Sequence, residues 1–505
     1  LQSNLYNNCE WIFGEACGDD VIGNDESTAN QIAELVNFRF NTSNNWILNR
    51  YTVNYRGINR ANQVIANANK VKLVSTDYGK YTNVREILGQ AKFLRAMFYF
   101  NLVKTYGGVP IRPETEDINN LVIPRSTKEE VYAYIEKDLR EAAIMLSPKY
   151  TDDDLGKAGR GSVVGLLMKV LMYQATPGVQ SEKWEELVEL GDYFVTGKAL
   201  TLGDILQFEE KYDEDWESLR KRLWFKPAAI SAETDPVETP SSPLGDIANQ
   251  YNVEYIGIYG DALNYWEIFT QKGEFYRGSV FEVMFRESAD GTGGDQNEGT
   301  GIFQDLYSTR LWISPTFFDV IKNDPRVSQV IVRGGTGTPD GERVNTNDNR
   351  YLSLKWYTPK KERPLYSDDY AKNRRFMRYS EVLLMYAEAL NECERGADAL
   401  IQLNKVKSAA NKITSSATLY TSGGYGYMRD QIWAERRLEL CHEWDRFFDI
   451  VRQGRAAKIF HAFASESATM HKRGQYFVEG VNEIFPIPQT EIDLSNGVIT
   501  QNPGY

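Results

Sequence analysis

Apolar positions recur at steps of three and four residues over both ends of the chain, the period of a helix with one buried face. In "RFMRYSEVLLMYAEALNE" (375–392), Phe376, Tyr379, Leu383, Tyr386, Ala387 and Leu390 share a stripe that Glu381, Glu388 and Glu392 largely avoid, predicting an amphipathic helix. Gly396 supplies a turn, and "ADALIQLNKVKSAAN" (397–411) predicts a second helix with small residues for close packing. Similar pairs stand upstream. "ILGQAKFLRAMFYFNLVKTYGG" (87–108) precedes "STKEEVYAYIEKDLREAAIML" (126–146), which opens on a Ser126 cap with Glu129 three residues later. "GSVVGLLMKVLMYQA" (161–175) precedes "KWEELVELGDYFV" (183–195), and "YTVNYRGINRANQVIANANK" (51–70) is assigned to "NQIAELVNFRF" (30–40).

The predicted class is mainly α, a scaffold of hairpins about the length of a tetratricopeptide repeat and resembling that pattern without a strict period. Residues 1–200 form the first helical half and 371–505 the second, with a loop-rich portion over 201–370. That middle portion holds five of the ten tryptophans, a Pro/Ser/Thr/Glu stretch at 230–245, a Gly-rich loop at 289–301 and one strand candidate, "SVFEVMF" (279–285). Loops on a rigid frame are where binding usually resides.

Charge removes one class of function. Lys and Arg total 57 against 70 Asp and Glu, a formal charge of −13, so the electrostatic term for a phosphate backbone has the wrong sign and nucleic acid is not an expected partner. Four cysteines, at 9, 17, 393 and 441, are too few for a disulfide framework and leave only a Cys9–Cys17 bridge open. The most apolar run, 163–173, is short and interrupted by Lys169, which argues against a membrane span.

Most catalytic and metal motifs fail on inspection. "HEWDR" places Arg446 where the second histidine of HExxH must stand, so the zinc reading of His442 and Glu443 falls. His461 and His471 form no helical pair with it, and no GxSxG elbow accompanies a triad. "TDDDLGKAG" (151–159) lacks the alternation and terminal Glu of a calcium loop, leaving structural calcium as a minor reading and no cofactor expected. A glycosidase pair of carboxylates has no recognisable setting among so many acids.

"ERRLELCHEWDRFFDIVRQG" (435–454) is read as one helix with Leu440, Cys441, Trp444, Phe447, Phe448 and Val451 inward. Glu435 with Glu439, and Glu439 with Glu443, set like charges four residues apart, which destabilises a lone helix and calls for partners elsewhere. Glu435, Arg436, Arg437, Glu439, Arg446 and Asp449 are therefore assigned to a structural ion-pair network, with Arg374, Arg375 and Arg378 as candidate partners.

Segments 375–392, 435–454 and "IFPIPQTEIDLSNGVITQNPGY" (484–505) resemble the C-terminal signatures of the SusD/RagB family of Bacteroidetes outer-membrane lipoproteins, and "YRGINRANQVI" (55–65) with "AKFLRAMFYFNLVKTYGGVPI" (91–111) resemble its opening helices. The resemblance implies a tetratricopeptide-like fold and a surface lipoprotein, anchored through a cysteine preceding Leu1. It further implies that the protein caps a SusC-like TonB-dependent transporter, passes it a glycan or similar nutrient, and does no covalent chemistry.

A sugar ring needs aromatic platforms beside planar hydrogen-bonding groups. Asn264, Tyr265 and Trp266 form one such cluster and Tyr307, Arg310 and Trp312 another, with Trp356 and Tyr276 as further candidates. Tyr78 and Tyr81 lie in an inter-helix loop that, by the family resemblance, approaches the ligand. A helical-repeat adaptor for peptides and a glycoside hydrolase are the rival functions.

Overall fold

The computed structural model describes residues 1, 4–23, 30–68, 78–115, 121–151, 154–224, 238–251, 264–285, 311–343, 350–364, 370–465 and 468–505. The helices used below are α1 (Asn4–Trp11), α2 (Asn45–Ala68), α3 (Tyr78–Tyr106), α4 (Lys128–Met145), α5 (Arg160–Gln174), α6 (Glu182–Gly191), α7 (Tyr379–Glu392), α8 (Gly396–Asn411), α9 (Tyr425–Glu439) and α10 (Arg446–Arg452). Each of α2 to α6 packs on its successor, α7 lies against α6 and α5, and α8 and α9 flank α7. The two helical arms are thereby joined through α7.

Local chemistry sets several boundaries. Thr127 caps α4: its Oγ1 accepts from the Glu130 backbone at 3.1 Å, while its own N–H donates to Glu130 Oε2 at 2.8 Å. The capping box therefore lies one residue beyond the Ser126 and Glu129 pair expected from sequence. Long α2 packs chiefly with α3, not with the short helix Gln31–Val36, whose six residues offer too little surface. Helix α3 starts at Tyr78, so Tyr78 and Tyr81 sit in its first turns and not in a loop. The left-handed turn before α8 is made by Glu394, with φ of 60°, and Gly396 lies inside the helix.

Two further boundaries differ from the periodicity. Arg374–Arg378 is a strand, not helix, and α7 begins at Tyr379. The segment 435–454 is also broken. Helix α9 ends at Glu439, a corner follows with positive φ at His442 (62°) and Trp444 (73°), and α10 resumes at Arg446. Gly14 makes that corner fit, because a Cβ there would lie 1.8 Å from the Trp444 carbonyl oxygen.

Three two-stranded antiparallel sheets stand among the described residues: β1 (Val21–Gly23) with β3 (Leu311–Ile313), β2 (Ser279–Val283) with β6 (Arg374–Arg378), and β4 (Ile331–Arg333) with β5 (Tyr351–Ser353). The main core runs through both arms. Two smaller clusters lie under the middle portion, one around Tyr265, Phe269, Ile313 and Phe317, the other around Trp266, Val332, Leu352 and Tyr357. Cys9 and Cys17 are buried free thiols. No helix among the described residues is long and apolar enough to cross a membrane.

Candidate functional site

The acids and arginines around the α9–α10 corner are almost fully enclosed. Arg326 Nη1 donates to Glu435 Oε1 at 2.8 Å and to Glu439 Oε2 at 2.9 Å. Arg378, at the end of β6, reaches Glu439 Oε1 at 2.7 Å and Glu443 Oε2 at 2.8 Å. Arg437 and Arg446 fork onto Asp19, at 2.8 and 2.6 Å, and Arg437 also meets Asp20 at 2.7 Å. Arg436 pairs with Asp449 at 3.4 Å, and Arg452 bridges Asp449 and Glu388, each at 2.7 Å. Arg374 and Arg375, the other two anticipated partners, turn instead to Glu10 (3.3 Å) and Glu282 (3.4 Å).

Burial opposes ionisation of Asp449, but the guanidiniums of Arg436 and Arg452 outweigh it and hold its carboxyl down to about 2. Burial likewise opposes the charge on Asp445, and the ammonium groups of Lys104 and Lys169, at 3.0 and 2.9 Å, hold that carboxyl well below the usual range. These acids are committed to cations, and the void beside them is about 30 Å³, too small for a sugar ring. The region braces α9, α10 and the N-terminal segment. His442 lies between Phe317, edge-on, and Trp356, tilted, with ring centroids 5.2 and 5.1 Å away, and burial drives its imidazole well below the ordinary range. It is neutral core.

The middle portion divides the aromatic candidates by accessibility. Tyr265 is buried and its hydroxyl donates to the Glu439 carbonyl at 3.1 Å. Trp356 is buried, with its indole N–H donating to the His442 carbonyl at 2.8 Å. Tyr276 is also buried. Asn264 is exposed at the head of the 3-10 turn Tyr265–Phe269, with its backbone N–H on Glu267 Oε2 at 2.7 Å. Tyr307 and Arg310 lie outside the described residues, as do the side chains of Tyr78 and Tyr81 and the Gly-rich loop.

Trp266 and Trp312 come together. Trp266, 7% exposed, belongs to the cluster with Val332, Leu352, Leu354 and Tyr357, and half-buried Trp312 packs against its rim. Trp312 is held opposite Ile22 in the β1–β3 pair, and the Arg350 guanidinium lies 4.8 Å from its ring centroid. Arg350, immediately before β5, was not anticipated from sequence; its signal is position, at the edge of a strand beside an aromatic ring.

The β4–β5 ladder presents a second face, because successive strand residues alternate. Val332 and Leu352 point to Trp266, whereas Ile331 and Tyr351 belong to the other cluster. On that side Tyr351 stacks on Phe318 with centroids 3.8 Å apart and the planes within 17°, beside a groove of about 420 Å³ that also meets Gln329, Arg333 and Thr338. These too escaped the sequence reading, since Phe318 follows a helical pattern and only the strand's alternation marks Tyr351.

The family model described as SusD family matches residues 306–505, and a second, described as starch-binding associating with outer membrane, matches residues 8–172. The chain belongs to the SusD family. Its helical arms with a loop-rich middle portion are the SusD-like architecture. SusD-like protein P2 of Formosa agariphila is 23% identical over 507 residues, covering 97% of this chain and 86% of that protein. A solved laminarin binding SusD-like protein superposes with a TM-score of 0.70 at 24% identity, covering 100% of this chain and 95% of its own. Surface glycan-binding protein A from Bacteroides thetaiotaomicron, solved with laminarihexaose, gives a TM-score of 0.69 at 19% identity over 98% of this chain and 94% of that one.

Proposed function

We propose that this SusD-family chain is a non-enzymatic, surface-exposed glycan-binding protein, lipid-anchored to the outer membrane, that delivers oligosaccharide to a SusC-like TonB-dependent transporter. The observation that carries the reading is the rim formed by Trp312 and Arg350 over Trp266, on a short strand and turn of the middle portion. An indole supplies a flat apolar surface for pyranose C–H groups. The Arg350 guanidinium over that ring holds its orientation. Exposed Asn264 adds an amide, and Tyr307, Arg310, Tyr78 and Tyr81 remain assigned to the same ligand surface. Buried Tyr265, Tyr276 and Trp356 belong to the core and are not assigned to that surface. The laminarin-binding and laminarihexaose-bound neighbours make β-glucans the first probes to choose.

The test is isothermal titration with a panel of neutral oligosaccharides, with reducing ends assayed in parallel. Saturable binding without product is expected, and Trp312→Ala weakens it roughly tenfold, about 1.4 kcal/mol. Appearance of new reducing ends defeats the non-enzymatic reading. Co-purification with a large outer-membrane transporter checks the delivery role.

A further inference from the structure

Helix α2 turns one face into a groove of about 520 Å³, away from the Trp312 rim in sequence and lined chiefly by Tyr55, Arg56, Asn59, Arg60 and Arg112. Positions 52, 55, 56 and 59 share that face by helical spacing. Arg56 and Arg60 are exposed and meet no carboxylate among the described residues. Arg112 donates to the Leu121 carbonyl at 2.5 Å, a neutral partner. Among the described residues Glu491 is the one acid lining the groove, and burial pushes its carboxyl up against the pull of Arg112. Half-buried Tyr55 has its hydroxyl on the Pro110 carbonyl at 2.7 Å and its ring 4.6 Å from that of Tyr51, so the hydroxyl is engaged and the ring is held as a wall.

In a chain of formal charge −13, a concave site whose described lining carries three guanidiniums and one acid reverses the local sign. Guanidinium forks match the oxygens of carboxylate and sulfate groups, and a tyrosine ring matches a pyranose face. We propose that this groove binds the anionic substituent of an acidic saccharide, a uronate carboxylate or a sulfate ester, with Arg56 and Arg60 as the charge partners and Tyr55 as the platform. The saccharide class rests on the glycan-binding reading above. Binding to an anionic membrane surface fits less well, because that calls for spread basic residues with an apolar face to insert.

The experiment titrates the full chain and the double variant Arg56→Gln/Arg60→Gln with sulfated, uronate-containing and neutral oligosaccharides of equal length, with inorganic sulfate, and with vesicles containing anionic lipid. For the parent chain, an acidic oligosaccharide is expected to bind at least tenfold more tightly than its neutral counterpart. That advantage shrinks as salt rises from about 0.05 to about 0.5 M. The double variant loses it while retaining neutral binding through the Trp312 rim. Equal affinity for acidic and neutral sugars, an acidic advantage that survives in the double variant, inorganic sulfate matching the saccharide, or a loss confined to vesicles overturns the groove assignment while leaving the glycan reading intact. Failure of every oligosaccharide, neutral ones included, overturns both.

Discussion

The arginines of the α9–α10 frame and those of the α2 groove are the same residue in opposite circumstances. In the frame the side chains of Arg326, Arg378 and Arg452 are enclosed and each lies against carboxylates at 2.5–2.9 Å. In the groove Arg56 and Arg60 face outward with no acid in reach among the described residues. Arginine count therefore predicts nothing until burial and pairing are known. A buried guanidinium is committed to the fold, and an exposed, unneutralised one is available to a ligand.

The sharpest way to break that contrast is to remove a frame arginine. Arg378→Ala leaves Glu439 and Glu443 enclosed with a cation lost, and removing one partner of a buried pair typically costs about 3–5 kcal/mol. A large drop in the urea midpoint is expected. A variant that unfolds like the parent chain defeats the idea that this network holds the arms together.

Acid probes the same region from the carboxylate side. Asp449 is held down to about 2, below the unfolded range near 4, so its contribution is fully present above pH 4 and is lost as pH falls toward 2. The shift corresponds to roughly 2 kcal/mol. Urea melts taken across that window should show stability falling with acid, and Asp449→Asn should remove part of the slope. An unchanged slope in the variant puts the acid sensitivity elsewhere.

How far the sequence discloses these two regions depends on range. The helices of both arms are legible because their apolar stripes are local and repeated. Frame partners such as Asp19 with Arg446, or Arg326 with Glu435, lie hundreds or over a hundred residues apart, so the like-charge spacing of α9 signals that partners exist without saying which. The helix break at 440–445 is hidden because its left-handed residues are His442 and Trp444, not glycines. Phe376 and Tyr379 fit a helical stripe, so the periodicity runs α7 back through β6. That strand is fixed by pairing with 279–283, a contact local pattern does not contain.

The candidate site is harder to read for a similar reason. Tyr265 and Trp266 are neighbours in sequence yet enter different clusters, Tyr265 beneath Glu439 and Trp266 beneath the hairpin. Composition marks both as platforms, but only packing separates a support from a surface. Trp312→Ala should therefore cost sugar affinity by roughly tenfold while changing stability by about 1 kcal/mol or less, because the ring packs at the edge of its cluster and is partly exposed. Trp312→Ala with full affinity but a collapsed melting temperature would place this ring with the frame.

The smallest effect carries the opposite sign. Arg56 and Arg60 stand four residues apart on α2, and like charges at that spacing destabilise a helix by about 0.2–0.5 kcal/mol. Arg56→Gln/Arg60→Gln should therefore unfold at slightly higher urea than the parent, and the gain should fade in high salt, where the repulsion is already screened. A frame arginine cannot behave this way, since its removal uncovers a carboxylate instead of relieving a repulsion. If the double variant is destabilised by more than about 1 kcal/mol, the groove arginines have partners after all and the distinction between the two regions collapses.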